Sequence, residues 1–170
     1  MKTEFKTMRF LGMPIFSQIE WIEKMRNSNY LNHSIDFYNN GDLVELLETR
    51  VAKLLNKEKA LFFPKGTVAQ FCALKVAQVN RQNNKIILHP SSHIALDEQD
   101  AYQSLLGLKG VLLGDENQPF SFNQVKAVNE KVASLVVELP LRRAGFKLTD
   151  LTELTKMSNW CKEQDIQCHM

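Results

Sequence analysis

The sequence predicts an α/β fold, in which a mostly parallel sheet carries helices on both faces. Short apolar segments of about five residues alternate with segments whose apolar residues recur at helical spacing. The chain has 170 residues, of which 44% are hydrophobic and 24% charged, so it can bury a real core. The predicted strands are residues 60–63, 85–88, 111–113, 135–139 and a last one over 166–170.

Charge and cysteine content exclude several classes of protein. The formal net charge is only +2, and no block of lysines and arginines suggests binding to nucleic acid. Cys72, Cys161 and Cys168 are odd in number and lack metal-ligand spacing, which is typical of free thiols in a reducing cytosol. The first 16 residues lack the apolar core of a signal peptide or membrane span, so we expect a cytoplasmic protein without a membrane partner.

The predicted helices follow an irregular and partly helical arm over residues 1–35, in which 19–25 can form a short helix. Asp42 and Glu45 have the spacing of a capping box at the start of the next helix. Its apolar stripe comprises Leu43, Leu46, Leu47, Val51, Leu54 and Leu55. Further helices are predicted over 68–79, 97–106, 122–131 and from Thr149 onward.

A strand–turn–helix passage at Pro64-Lys65-Gly66-Thr67 is the first feature that could bind a ligand. A helix N-terminus presents unpaired N–H groups and a partial positive charge, which suit a phosphate. Gly66 lets an anion approach the backbone, Thr67 can add a hydroxyl donor, and Lys65 can add charge. The same tetrapeptide is also compatible with an ordinary helix start.

Two histidines, His89 and His93, follow the strand predicted over 85–88. Ligands of α/β sheets collect beyond the carboxyl ends of the strands. These histidines could bind a metal, act as acid or base groups, or stack on a flat cofactor, and they could equally be loop residues without such a role. No carboxylate or cysteine completes a convincing ligand set, so no metal is expected.

Glu138 lies near the end of the strand predicted over 135–139, and Arg142 and Arg143 follow that strand. Paired arginines at that edge can bind a carboxylate or a phosphate. They are also compatible with ordinary solvated loop residues.

Taken together, these segments resemble the threonine aldolase / aromatic amino acid β-eliminating lyase family. The similarity lies in residues 41–48, 51–58, 60–70, 89–94, Glu98 and 138–145, in that order. It implies the large domain of fold-type-I enzymes that use pyridoxal 5'-phosphate (PLP), with a mostly parallel seven-stranded sheet. It further implies that Gly66 and Thr67 hold the cofactor phosphate, that His93 stacks on the pyridine ring, and that Glu138 and Arg143 line the substrate side. Lys65 stands where the family usually has Ser. This replacement keeps the backbone N–H groups that would surround the phosphate but loses a hydroxyl.

The last residues, 167–170, match the strand that the family continues with Asp-Gly-Ala-Arg. The resemblance places the Schiff-base lysine and the small C-terminal domain further on, so no catalytic residue is expected in this chain. Residues 36–170 are then the N-terminal part of the PLP-binding domain of an amino-acid lyase, which is homo-oligomeric at full length and inactive in this truncated form. The alternative is a non-catalytic α/β module that binds an anionic ligand or a partner chain. For a shared cofactor, the helix that begins at Gly66 must face the His93 loop across one cleft.

Overall fold

The computed structural model describes residues 15–38 and 40–170. Two compact units divide the chain between Phe62 and Phe63. The boundary predicted after residue 35, between the N-terminal arm and the domain over 36–170, stays a prediction.

The described part of the first unit, residues 15–38 and 40–62, contains two helices, α1 (Gln18–Arg26) and α2 (Asp42–Leu54). Helix α1 confirms the short helix expected in the arm, and a capping box between Ser17 and Glu20 starts it. The capping box predicted at Asp42 is wrong, because Asp42 is already the first helical residue and Gly41 occupies the N-cap without a side-chain bond. A Cβ at Gly41 would lie 2.7 Å from the Cα of Asp36, which explains why a larger cap residue does not fit.

Residues 60–63 do not form the strand that their apolar sequence predicts. They have no strand assignment and make no backbone–backbone hydrogen bond within the described parts of the chain. The N–H of Phe62 instead donates to Oε1 of Glu48, at 2.7 Å. A strand exists only when a neighbour satisfies its backbone groups, and no described strand does so here.

The second unit is built on a four-stranded parallel sheet in the order β2-β1-β3-β4, which confirms the predicted class of fold. The strands are β1 (Lys85–Leu88), β2 (Lys109–Leu112), β3 (Ser134–Val136) and β4 (Gln167–His169). The helices are α3 (Gly66–Arg81), α4 (His93–Leu96), α5 (Ala101–Ser104), α6 (Phe122–Lys126) and α7 (Leu151–Glu163), with a 3-10 turn over Arg142–Ala144.

Some helices differ in extent from their predicted bounds. Instead of one helix over 97–106, two short helices flank Gln99 and Asp100, whose positive φ angles of 49° and 57° interrupt a helical path. Helix α6 ends at Lys126, five residues before its predicted end at Lys131. Helix α7 begins after Asp150, whose side chain accepts from the N–H of Thr152 at 2.8 Å.

Side chains alternate between the two faces of the sheet and bury a core on each. Ile87 and Leu135 pack on one face with Met157 and Cys161 of α7, and all four are at most 1% exposed. Ile86, Leu88 and Val136 pack on the other face with Leu74 of α3. The helices therefore cover both faces, as the strand–helix alternation predicts.

The direction in which successive strands are added to the sheet reverses at β1. From β1 the chain passes to β2 on one side, and it then returns to β3 on the other side. In open α/β sheets, loops that leave the carboxyl ends of such neighbouring strands part and leave a crevice between them. The loops after β1 and β3 carry His93 and Glu138, so the fold itself brings these two predicted site residues to one edge.

Candidate functional site

The N-terminus of α3 carries backbone donors that have no partner among the described residues. The N-cap residue Lys65 makes no side-chain capping bond, and the first helical N–H with a backbone partner is that of Ala69. The N–H groups of Gly66, Thr67 and Val68 have no hydrogen-bond partner in the described chain. A Cβ added at Gly66 would meet no atom within 4 Å, so the missing side chain leaves open space. The helix end can therefore accept an anion at its backbone.

Thr67 and His93 are linked through one carboxylate oxygen. The Thr67 hydroxyl donates to Oε1 of Glu98 at 3.1 Å, and Nε2 of His93 lies 2.8 Å from the same oxygen. These contacts confirm the predicted proximity of the helix that begins at Gly66 and the histidine loop. Because a hydroxyl has one hydrogen to donate, Thr67 offers an anion its backbone N–H rather than its side chain.

His89, the other histidine of the motif, is a structural residue of the loop. Its side chain is buried, with the residue only 2% exposed. Nε2 lies 2.8 Å from the carbonyl oxygens of both Asp115 and Gln118, while Nδ1 accepts the N–H of Ser91 at 3.0 Å. All hydrogen-bonding capacity of the ring is therefore spent on holding the backbone, and none faces a ligand.

Asp97 binds the side chains of Arg142, Arg143 and His93 at this edge. The sequence alone did not identify it as a site residue. Its carboxylate accepts from Nη2 of Arg142, from Nη2 of Arg143, and from Nε of Arg143 at 3.1 Å. Nδ1 of His93 lies 3.2 Å from Asp97 Oδ2. The only sequence signal was the i, i+4 spacing of His93 and Asp97 on one helical turn.

The charges of this cluster shift the protonation of Asp97 and Arg143 in opposite directions. The hydrogen bond from Arg143 holds the pKa of Asp97 well below its ordinary value, and the bond to His93 and the charge of Arg142 act in the same direction. The same contact raises the pKa of Arg143. The pair is therefore fully ionised at any pH near neutrality, and the guanidinium of Arg143 already has an internal carboxylate partner.

Glu138 holds the two loops together by its carboxylate. Oε2 accepts the backbone N–H of His93 at 2.5 Å, and Oε1 accepts the backbone N–H of Arg142 at 3.2 Å. The residue predicted to line the substrate side thus binds the backbone of both loops, at His93 and at Arg142. Its geometry is that of a group that orients the His93 loop.

A concave region lies at the opposite, amino-terminal ends of the strands. This hollow of about 600 Å³ is lined by residues that include Asn83, Lys131 and Trp160. Three of its charged side chains are engaged in ion pairs, Arg81 with Asp165 at 3.1 Å and Glu130 with Lys85. The edge with His93 is therefore the better candidate, because it combines open backbone donors with a partly exposed ring.

Two further properties bear on the kind of site. Within residues 15–38 and 40–170, no three His, Cys, Asp or Glu side chains are grouped as a metal ion would require. Over the same residues, no helix has both the length and the apolar character needed to cross a bilayer.

The comparisons with known proteins place the chain in a family. The model of the β-eliminating lyase family matches residues 23–170, and the chain therefore belongs to this family of amino-acid lyases. Among curated proteins, none matched the chain.

Two solved structures share its fold. A provisionally assigned L-allo-threonine aldolase from Listeria monocytogenes superimposes with a TM-score of 0.85 and 36% identity, over 94% of this chain and 44% of that one. A provisionally assigned aromatic amino acid β-eliminating lyase/threonine aldolase from Exiguobacterium gives a TM-score of 0.81 and 29% identity, over 87% of this chain and 42% of that one. The chain thus spans less than half the length of these two proteins.

Proposed function

We propose that this chain is the cofactor-phosphate half of a PLP-dependent lyase that acts on amino acids, by aldol cleavage of a β-hydroxy amino acid or by β-elimination. The observation that carries the proposal is the uncapped N-terminus of α3, joined to the His93 ring through Glu98. The proposed setting is the cytoplasm, with a homo-oligomer at full length and no nucleic-acid or membrane partner.

The residues present fit the phosphate and the ring of PLP. The free N–H groups at Gly66, Thr67 and Val68 would bind the phosphate, and the open space at Gly66 lets it approach. His93, whose side chain is 37% exposed, would pack on the pyridine ring while the carboxylates on either side fix its plane. When bound, PLP withdraws electron density from the substrate's α-carbon as a bond to that carbon breaks.

We assign Glu138 and Arg143 supporting roles on the substrate side. Glu138 sets the position of the His93 loop through two backbone N–H groups, and Arg143 is bound to Asp97. A substrate carboxylate would have to compete with Asp97 for Arg143. We propose that no residue of this chain performs the covalent chemistry, so that the 170-residue chain alone produces no glycine and acetaldehyde from threonine.

A binding measurement tests the phosphate site without the covalent chemistry. The probe is pyridoxine 5'-phosphate, which keeps the ring and phosphate but has no aldehyde to label exposed lysines. We expect weak binding, because a few charge-assisted hydrogen bonds contribute about 1.5–3 kcal/mol each before the cost of association. Amide resonances of Gly66, Thr67 and Val68 should shift on titration, and those of α7 should not.

The variant Gly66→Ala tests whether the phosphate binds at the N-terminus of α3. Its Cβ meets no protein atom, so the fold should be retained, whereas the methyl group occupies the path of the anion. We expect affinity to fall about ten-fold or more, equivalent to about 1.4 kcal/mol. Lys65→Ala should have a smaller effect, because an exposed charge is screened by solvent. Unchanged binding by Gly66→Ala would refute the phosphate site.

The second candidate is a non-catalytic α/β module that binds an anion or a partner chain. The same α3 N-terminus favours it, because free backbone donors accept any small anion. Inorganic phosphate separates the two functions. If it binds as tightly as pyridoxine 5'-phosphate and leaves the His93 ring resonances unmoved, the ring contributes nothing and the anion module is the better description.

A further inference from the structure

The two histidines of the His89–His93 motif differ in which ring nitrogen carries the proton. In His89, Nδ1 accepts the N–H of Ser91, and Nε2 faces two carbonyl oxygens. A nitrogen that accepts a hydrogen bond has a free lone pair, and a nitrogen that faces carbonyls must donate. His89 therefore carries its proton on Nε2.

His93 has the opposite arrangement because of Asp97. Its Nδ1 lies 3.2 Å from Oδ2 of Asp97, which is also bound by both Arg142 and Arg143. A carboxylate bound by two guanidinium groups is ionised, and an ionised carboxylate only accepts hydrogen bonds. Nδ1 of His93 must therefore be the donor.

We propose that Asp97 is a positioning residue that fixes a proton on Nδ1 of His93 and directs Nε2 toward Glu98 and the N-terminus of α3. Nε2 lies 2.8 Å from Glu98 Oε1 on the other side of the ring. The charged groups around the ring are then Asp97 and Glu98 in direct contact, with Arg142 and Arg143 behind Asp97.

This arrangement fixes the plane of the ring as well as its proton. A half-turn of the imidazole would place ring carbons where Asp97 and Glu98 now meet nitrogens. The hydrogen bond to Asp97 and the close approach of Nε2 to Glu98 would both be lost. The ring thus has one orientation in the absence of a ligand, and a flat partner would find its surface already set. The relevance to PLP rests on the proposed function, whereas the proton position does not.

The test is a spectrum of the 170-residue chain labelled with ¹⁵N at histidine, without cofactor. Long-range ¹H–¹⁵N correlation distinguishes a protonated ring nitrogen from an unprotonated one. The measurement is made at about pH 9, roughly two units above the ordinary histidine pKa of about 6.5. We expect Nε2–H for His89, and Nδ1–H for His93 whether or not its Nε2 is also protonated.

Variants then attribute the effect to Asp97. In Asp97→Ala, the ratio of Nδ1–H to Nε2–H forms of His93 should fall about ten-fold or more, as expected for the loss of a charge-assisted hydrogen bond. The matched control is Asp100→Asn, because Asp100 contacts Gln103 at 3.3 Å rather than either histidine. It should leave both histidines unchanged.

The outcomes separate this inference from the proposed function. His93 protonated on Nε2 and not on Nδ1 in the parent chain, or Nδ1–H retained in Asp97→Ala, would overturn it. If Asp97→Ala does not fold, the parent spectrum still decides, with His89 as the internal reference. Failure of pyridoxine 5'-phosphate to bind would refute the cofactor site and leave the tautomers as they are.

Discussion

Replacing Glu138 by alanine should destabilise the second unit more than replacing an exposed ion-pair partner. The carboxylate accepts the backbone N–H groups of His93 and Arg142, at 2.5 Å and 3.2 Å. Hydrogen bonds to a charged group contribute about 1.5–3 kcal/mol each where water is excluded. Because this edge is partly exposed and water can meet the released N–H groups, we expect a loss of roughly 2 kcal/mol in the free energy of unfolding.

Two further variants turn this expectation into a comparison. Glu138→Gln keeps one acceptor oxygen and places an amide NH₂ against the other N–H, so it should lose about half as much, roughly 1 kcal/mol. The control is Glu130→Ala, which removes a side chain that is 50% exposed and pairs with Lys85. An exposed ion pair contributes about 0–1 kcal/mol, so the control should change little.

The assay is urea denaturation followed by far-UV circular dichroism, with amide hydrogen exchange as a local measurement. Exchange at the His93 and Arg142 amides should accelerate in Glu138→Ala, while exchange in the core strands should accelerate only as far as global unfolding requires. The reasoning is refuted if Glu138→Ala loses no more stability than Glu130→Ala, or if these two amides keep their protection.

Three other predictions concern acid, strain and association. Burial lowers the pKa of His169, so as the pH falls below about 6.5 the unfolded chain binds a proton before the folded chain does, and the free energy of unfolding declines. Urea denaturation at several pH values should show that the free energy of unfolding of His169→Gln depends less on pH. Gly114 has a φ of 105°, and a Cβ there would lie 2.7 Å from Cδ2 of His89, so Gly114→Ala should cost about 1–3 kcal/mol; an unchanged melting temperature would argue against it. Val68, Val76 and Val79 of α3 are 44%, 53% and 63% exposed, so size-exclusion chromatography should show concentration-dependent self-association rather than a constant monomer.

The sequence predicts the central strands well because a short run of apolar residues indicates a strand that is buried on both faces. Residues 86–88 and 135–136 are apolar on both faces of the sheet, and both segments pair in parallel as expected. Residues 60–63 have the same apolar character, yet they form no strand. Composition indicates that a segment can be buried in a sheet, but it does not identify the neighbour that must satisfy its backbone.

The site was predictable in its parts and not in its connections. Gly66, Thr67, His93 and Glu138 come to one edge because each lies at or next to the end of a predicted strand or helix, and the sequence reveals those ends. The pairing of Asp97 with Arg143 joins residues 46 positions apart, and no local pattern indicates it. Likewise, no local pattern indicates that carbonyl groups of a distant turn, at Asp115 and Gln118, approach the ring of His89.

The uncapped N-terminus of α3 makes the stability of the chain depend on the solutes around it. A solute that binds only the folded chain adds RT ln(1 + [L]/Kd) to the free energy of unfolding, about 2.7 kcal/mol at one hundred times its Kd. Because the donors at Gly66, Thr67 and Val68 are backbone groups, they exist as a set only while the helix is formed. Phosphate or sulfate in the medium should therefore raise the melting temperature of the parent chain. Nitrate or chloride at equal ionic strength should raise it only slightly. In Gly66→Ala, most of the increase caused by phosphate or sulfate should be lost.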